Sequence, residues 1–424
     1  MGLMKRVKMG IKDDIIKKVA LKEDIDEEKL MKLIADGKVI IPKNEVRENL
    51  NPIGIGEGLT TKVNVNVGTS NLHMDPEMEI RKAEIAVKFG ADTIMDLSTG
   101  GDLDDIRREL MRVAPIPFGT VPIYQAFIEA TIKKGAGINM TEDDIFNTIE
   151  KQLRDGVDFM TIHAGITREI VEKALKTNRV AGIVSRGGAM LAAWMIKNNS
   201  ENPLYKSYGY LMELLSKYDA TISIGDALRP GSIIDAHDYL QMAEMLTVSR
   251  LVEEAWRNNV QVMVEGPGHM PLNQIEANIK LEKQMCKGSP YYVLGPLTTD
   301  IGAGYDHIVS AIGAAIAAAS GADIICYLTP SEHLGLPNEE DVREGLIAAK
   351  LAAHSGDIVK LGEKALKKDL EISIARTNLD WEKMYKLSLN PEKAKEVHER
   401  YGLKGKVCTM CGEYCVYKIL KINQ

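Results

Sequence analysis

From about residue 61 to residue 337 the chain repeats one unit, a short aliphatic run followed by a helical stretch. The runs are VNVNVG, DTIMDLS, PFGTVPI, DFMTIHAG, AGIVSR, TISIGD, QVMVEG, YYVLGP and DIICYLTP. Stretches such as PEMEIRKAEIAVKFG and DDIFNTIEKQLRDG separate most of them. Continuous apolar strands alternating with helices predict a parallel sheet covered by helices. About eight repeats predict an α/β fold, a (β/α)8 TIM-type barrel, with a doubly wound open sheet as the alternative. There are nine candidate strands for eight places, so one lies outside the barrel or is no strand.

The flanks differ from this rhythm. Residues 1–60 form an N-terminal helical and extended segment, in which DEEKLMKLIADGKVIIP gives a short helix and then an extended piece. Residues 61–337 are the barrel domain. Residues 338–400 are a C-terminal helical region, opened by Asn338 and a run of acids that suits the positive end of a helix. Residues 401–424 are a cysteine-bearing tail.

Composition narrows the function classes. A chain of 424 residues buries enough surface to need no disulfide. Net charge is −7 with scattered basic residues, which argues against nucleic-acid binding. The first twenty residues carry charges throughout, unlike a secretory leader. The longest apolar run, Ile308 to Ala322, is short for a membrane span and reads as a buried helix. With an odd number of clustered cysteines, these features predict a reducing, cytoplasmic setting and no membrane partner.

Almost every strand candidate stops at a polar or conformationally special residue. The stops are Asn66, Met95-Asp96, His163-Ala164-Gly165, Ser185-Arg186-Gly187-Gly188, Asp226, Glu265 with His269, and Thr329 through His333. In a barrel the loops after the strands open on one face, so these residues predict one large central site.

The tail holds Cys408-x-x-Cys411-x-x-x-Cys415. Three thiolates at this spacing grip a metal centre. Structural zinc needs a fourth ligand, and His398 is a candidate. An electron-carrying [4Fe–4S] cluster also needs four, with Cys286 or Cys326 as candidates, although both sit in contexts that suit buried thiols. Three thiolates alone leave one iron open, able to chelate S-adenosylmethionine and reduce its sulfonium. Spacing does not choose among these.

His269, after the Gly-Pro-Gly turn of EGPGH, and His333, in TPSEHLGLP, form a candidate pair for a divalent metal. SRGG offers a hydroxyl, a guanidinium and turn amides, the parts of an anion nest. In GDALRPG, Asp226 suits a ribose hydroxyl or an amine, and Arg229 either reaches phosphate or braces the loop against Asp226.

The strings KVNVNVG, ADTIMDLSTG, GTVPIYQA, GIVSRGG, LRPGSIIDAHD, VQVMVEGPGHMP, LGPLTTDIGAGYDH, YLTPSEHLGLPNEEDV and CTMCGEYC occur together from about residue 50 onward. In these the chain resembles the phosphomethylpyrimidine synthase (ThiC) family of thiamin biosynthesis. The resemblance implies a radical S-adenosylmethionine lyase on a (β/α)8 barrel. Its reaction converts 5-aminoimidazole ribotide to hydroxymethylpyrimidine phosphate, with formate and carbon monoxide released. It further implies an electron-donor protein, and a homodimer in which the tail of one copy serves the other.

Carried over to this chain, the implied substrate contacts are Asn66, Met95, Tyr124, His163, Ser185, Arg186, Gly187, Asp226, Ala227, Leu228, Arg229, Glu265 and Tyr292. Glu265 and Asp226 are the implied proton shuttles. His269 and His333 are the implied ligands of a zinc or iron ion, and Cys408, Cys411 and Cys415 those of a [4Fe–4S] cluster. Three features depart from many bacterial members: the last cysteine gap holds three residues rather than four, Ala227 replaces a glycine, and the N-terminal extension is missing. A close paralogue, 5-hydroxybenzimidazole synthase, uses the same ribotide and is the alternative product assignment. A divalent-metal barrel enzyme with a structural zinc tail, or a ribotide-binding protein without activity, would stand outside the family's chemistry.

Overall fold

The computed structural model describes residues 1–402 and 407–421, the side chains of 420 and 421 excepted. Eight parallel strands close into a barrel: β1 (Lys62–Val67), β2 (Thr93–Asp96), β3 (Phe118–Thr120), β4 (Phe159–Ile162), β5 (Thr221–Ile224), β6 (Val262–Glu265), β7 (Tyr291–Leu294) and β8 (Ile324–Cys326). Closure comes from β8 pairing with β1, Cys326 opposite Asn64. Closure also removes the doubly wound alternative. The strands read as unbroken apolar runs because helices cover their outer faces and side chains fill the lumen. Val63, Val65, Ile94, Ile222 and Val262 are all fully buried, each worth about 1.5–3 kcal/mol of transfer free energy.

The surplus strand candidate is AGIVSR. Residues 182–185 form a loop, and Ser185 caps a helix over Arg186–Asn198. β4 pairs directly with β5, Phe159 opposite Thr221, so no slot exists between them. Ser185–Gly188 therefore opens a helix and does not end a strand.

Local signals explain the connecting helices. The helix Pro76–Lys88 has proline in its first turn and an Asp75 carboxylate accepting from the Met78 amide. The helix Glu142–Asp155 is opened by a Thr141/Asp144 capping box and closed by left-handed Gly156. The apolar run near residue 308 is the helix Asp306–Ser320, which buries Val309, Gly313, Ala314, Ala317 and Ala318.

The N-terminal segment packs its own small core and seals the end of the barrel where the strands begin. It comprises helices Leu3–Lys8, Asp14–Lys22 and Glu27–Ala35 and an antiparallel pair, Val39–Ile40 with Ile55–Gly56. Asp158, just before β4, accepts from Arg47 Nη1 at 2.9 Å and from the Asn44 and Phe118 amides, each at 2.9 Å. Lys62 at the start of β1 is buried against Glu23 at 3.0 Å. Burial opposes the Glu23 charge, but Lys62 and Thr60 prevail and hold its carboxyl below its usual value. Gln261, just before β6, pairs with the backbone of Ile41.

Residues 357–424 form a second compact unit, largely helical up to Glu399. In it His398 stacks on Trp381 at 4.0 Å, and its Nδ1 pairs with the Tyr385 hydroxyl.

Candidate active site at the C-terminal end of the barrel

Successive side chains along a strand point to opposite faces, so one residue near the end of each strand faces the lumen. Asn66, Met95, Thr161, Glu265, Tyr292 and Cys326 are such residues, and all line one cavity of about 90 Å³. His163, Asp226 and Arg229 from the loops just beyond, and Tyr124 from the first turn of the helix Pro122–Lys134, complete its polar wall. Through Asn66 and Leu97 this floor adjoins a wider vestibule of about 880 Å³, whose wall includes Arg186 and His333.

Two carboxylates dominate the floor. Glu265 Oε1 accepts from the hydroxyls of Thr161 and Ser223, both at 2.6 Å. That leaves Oε2 to face a ligand. Burial, with the neighbouring Asp226 charge second, pushes the Glu265 carboxyl up to about 7, the range a general acid or base needs. Asp226 Oδ1 pairs with Arg229 Nη1 at 3.0 Å, while its Oδ2 is buried with no partner. Burial raises this carboxyl too, against the pull of Arg229. Arg229 thus both braces the loop and lines the cavity.

His163 is buried, and burial together with the Arg229 charge lowers it to about 3, so it is neutral at ordinary pH. Its Nε2 lies 3.0 Å from Ser185 Oγ, and its Nδ1 is buried without a partner. Ser185 Oγ also accepts from the Gly188 amide as helix cap. Gly187 packs on the imidazole so closely that a Cβ there would sit 2.4 Å from its Cε1. Arg186 lies over the Tyr124 ring at 5.0 Å. Asn66 donates to the Cys326 sulfur at 3.1 Å and itself accepts from Asn64. The Tyr292 hydroxyl points at Met95 Sδ.

The two histidines come together above this floor. Their ring centroids are 5.2 Å apart. His269 Nδ1 meets Asp300 Oδ1 at 2.7 Å, and His333 Nδ1 meets Asp306 Oδ2 at 3.3 Å. Carboxylates behind both Nδ1 atoms fix the two rings and leave their Nε2 atoms as the nitrogens available to a ligand. Burial lowers His269, which favours the neutral ligand form. His333 holds a left-handed backbone, φ 63°, in the turn after β8.

The three tail cysteines lie in the second unit. Cys408 is half-buried, Cys411 exposed and Cys415 buried. Turns link them, with the Gly412 amide donating to Cys408 O at 3.0 Å and a 3-10 turn over Gly412–Tyr414 leading to Cys415. The three thiols share one short wound loop, but among the described residues no group of three or more His, Cys, Asp or Glu side chains is gathered closely enough to hold a metal ion. Residues 403–406, part of the link to the tail, lie outside the described residues. Cys286 and Cys326 are both buried. Burial pushes the Cys326 thiol up to about 12, as expected of thiols that stay protonated.

Of the sequence-read contacts, Asn66, Met95, Tyr124, His163, Asp226, Arg229, Glu265 and Tyr292 share the floor. Arg186 lines the vestibule, and Ser185 and Gly187 stand behind His163. Ala227 and Leu228 do not present their amides to the cavity, because both donate to the buried Glu244 carboxylate at 2.8 and 2.7 Å. Sequence reasoning missed Glu244, Asp300 and Asp306, and also Thr161 and Ser223. Thr161 was legible in principle, lying two residues before the strand-end His163 and so on the same face, whereas Ser223 lies three residues before the strand-end Asp226 and the alternation gave no such signal.

The model of the radical SAM ThiC family matches residues 2–422. A phosphomethylpyrimidine synthase of Ignicoccus hospitalis is 53% identical over 423 residues, 99% of this chain and 96% of its own. One from Sulfurisphaera tokodaii is 55% identical over 416 residues, 98% of this chain and 97% of its own. Among solved structures, a dihydropteroate synthase from Coxiella burnetii aligns with a TM-score of 0.41 at 11% identity. It covers 73% of this chain and 96% of its own, a likeness too distant to bear on function. With a family match over nearly its whole length, the chain belongs to the radical SAM ThiC family of enzymes.

Proposed function

We propose that this enzyme converts 5-aminoimidazole ribotide to 4-amino-5-hydroxymethyl-2-methylpyrimidine phosphate, the thiamin pyrimidine, with formate and carbon monoxide as co-products. Its curated relatives are phosphomethylpyrimidine synthases at more than half identity and nearly full coverage. Membership of a radical SAM family brings a [4Fe–4S] cluster and S-adenosylmethionine with it. Cys408, Cys411 and Cys415 would hold the cluster, whose chemistry when bound would be one-electron reduction of S-adenosylmethionine.

The single observation carrying the substrate assignment is the polar floor. Asp226 presents a buried, unpaired Oδ2 and Glu265 a second oxygen free of protein hydrogen bonds. These acceptors suit the hydroxyls and the amine of a ribotide. The helix that begins at Arg186 turns its positive end and a guanidinium toward the vestibule, where a phosphate would be favoured. Glu265, titrating near neutrality, takes a proton from the fragmenting sugar or returns one at its Oε2. Neutral His163, held by Ser185 and pressed by Gly187, positions the ligand without adding charge. The enclosed floor excludes bulk water from the reacting carbon atoms.

His269 and His333 would hold one divalent ion, zinc or iron, which orients ligand groups in the vestibule. The reading also calls for an electron-donor protein and a homodimer in which the tail of one copy serves the other's barrel. Anaerobic turnover of isotopically labelled ribotide, followed by mass spectrometry of the products, tests it. The expected product is the pyrimidine phosphate together with 5′-deoxyadenosine. A hydroxybenzimidazole product would move the chain to the paralogous reaction. No deoxyadenosine from protein with a verified cluster would end the radical assignment.

A further inference from the structure

Behind the floor lies a second, smaller cavity of about 20 Å³, room for one or two waters. Asp226, Glu244, Glu265 and Glu282 all contribute to its wall. Arg229 is its one cation. Four carboxylates around so small a space, facing one guanidinium, cannot all be ionised, because each added charge is both desolvated and repelled by the others.

Glu282 is the member that the reaction described above leaves unused. It sits in the helix Ile275–Met285, fully buried, and apart from the weak contact of the Cys286 thiol its side-chain oxygens have no hydrogen-bond partner. An ionised carboxylate left so would cost several kcal/mol. Its charged neighbours do not rescue it. Lys283, next along the helix, spends its ammonium on Asp323 and on Ser289 O, and Asp323 adds a negative charge nearby. The buried Cys286 thiol, one turn on, is a weak donor at best.

Tyr291 closes the wall between Glu282 and the floor. Its hydroxyl donates to Asn278 Oδ1 at 2.9 Å, and Asn278 Nδ2 lies 3.0 Å from His237 Nε2. Since the Asn278 oxygen is the acceptor for the tyrosine, its amide donates to His237. The Tyr291 oxygen therefore turns a lone pair, not its proton, toward the cavity. Neither Glu282 oxygen lies within hydrogen-bond distance of that hydroxyl, so a proton leaves Glu282 only by way of cavity water, and an ionised Glu282 gains no donor from Tyr291.

We propose that this cavity is a proton compartment in which Glu282 carries an exchangeable proton and reloads Glu265 through cavity water. The step moves one proton and no electrons. After Glu265 has given its proton to the reacting ligand, the O–H bond of Glu282 breaks and an O–H bond forms on Glu265. The negative charge passes to Glu282. Once product leaves, the relay runs backward, the Glu265 proton returning to Glu282, and solvent at the open floor then protonates the vacated Glu265. Burial pushes the Glu282 carboxyl up to about 8 and Glu265 to about 7, close enough for the proton to pass either way. Glu282 touches no ligand and acts through Glu265.

The inference rests on the proposed reaction for its use, but its first readout does not. Infrared difference spectroscopy of the whole protein, wild type against Glu282→Gln at pH 7, is expected to show the loss of one protonated-carboxyl band. Turnover is expected to fall about tenfold or more, and the pH–rate profile to lose its limb near pH 8. A Glu282→Gln protein with no missing band, or with the wild-type pH profile, overturns the proposal. Should Glu282→Gln not fold, Cys286→Ala leaves the acid in place and removes its thiol neighbour. The same band is expected to shift in that variant, and an unmoved band counts against the proposal. A missing band in a protein that fails to turn over the ribotide would leave the compartment standing and remove only the proposed reaction.

Discussion

The two ends of the barrel carry similar buried charge and treat it in opposite ways. Where the strands begin, Asp158 collects Arg47 and two backbone amides, Glu23 takes Lys62, and Asp323 takes Lys283 and the Tyr291 amide. Where the strands end, Asp226 keeps a buried unpaired oxygen and His163 an unpaired nitrogen. A folded chain satisfies buried polar atoms almost everywhere, because each orphan costs about 1–3 kcal/mol. Where the strands begin, Thr221 Oγ1 is a lone buried orphan among these paired charges, and that end is structure. The unsatisfied end has exchanged stability for a place where a ligand or a proton can complete the bonding.

The sharpest break of this contrast is at Glu265. Glu265→Gln keeps the shape and removes the titrating group, so turnover of the ribotide is expected to fall about 10²–10⁴-fold. Its thermal midpoint should stay level or rise, since a strained buried acid is gone. At the other end, Arg47→Ala strips Asp158 of its cation. It is expected to cost about 3–5 kcal/mol of stability in urea titrations. Ribotide affinity per folded molecule should be unchanged. A loss of activity at Arg47 larger than its loss of folded protein would blur the distinction.

A pH series refines it further. The Glu282 carboxyl is raised in the folded state, to about 8. As pH climbs past the unfolded value near 4.5, the unfolded chain ionises this group while the folded protein holds it neutral. Its contribution to stability is thus full at low pH and falls by about 1.4 kcal/mol per unit up to about pH 8. Subtracting the stability–pH curve of Glu282→Gln from that of wild type should expose this slope. A flat difference would mean that the group is solvated or paired. The smallest effect concerns the histidine pair. Asp300→Asn, which weakens the partner of His269 Nδ1, should lower affinity for zinc about 10–100-fold by chelator competition without changing the fold.

The strands were legible because they are buried on both faces and read as apolar runs. AGIVSR looked the same, yet an apolar run bounded by Gly182 and a helix-capping serine is also what a loop under a helix looks like. Periodicity has no term for whether the barrel has already closed. The floor residues were legible because they sit at strand ends, where the order of the chain maps directly onto the ring of the barrel. Their supports were not. Asp300 lies 31 residues from His269, and Asp306 lies 27 from His333. Glu244 and Glu282 occupy mid-helix positions where a glutamate ordinarily means solvent. Only the packing shows that these carboxylates face inward.

The most direct measurement is the structure of the protein crystallised with 5-aminoimidazole ribotide. The account predicts the ribotide in the floor between Asn66 and Tyr124, within hydrogen-bond distance of Asp226 Oδ2 and Glu265 Oε2, with its phosphate toward Arg186. A ribotide seated anywhere else at saturating concentration, with this floor left empty, would contradict it.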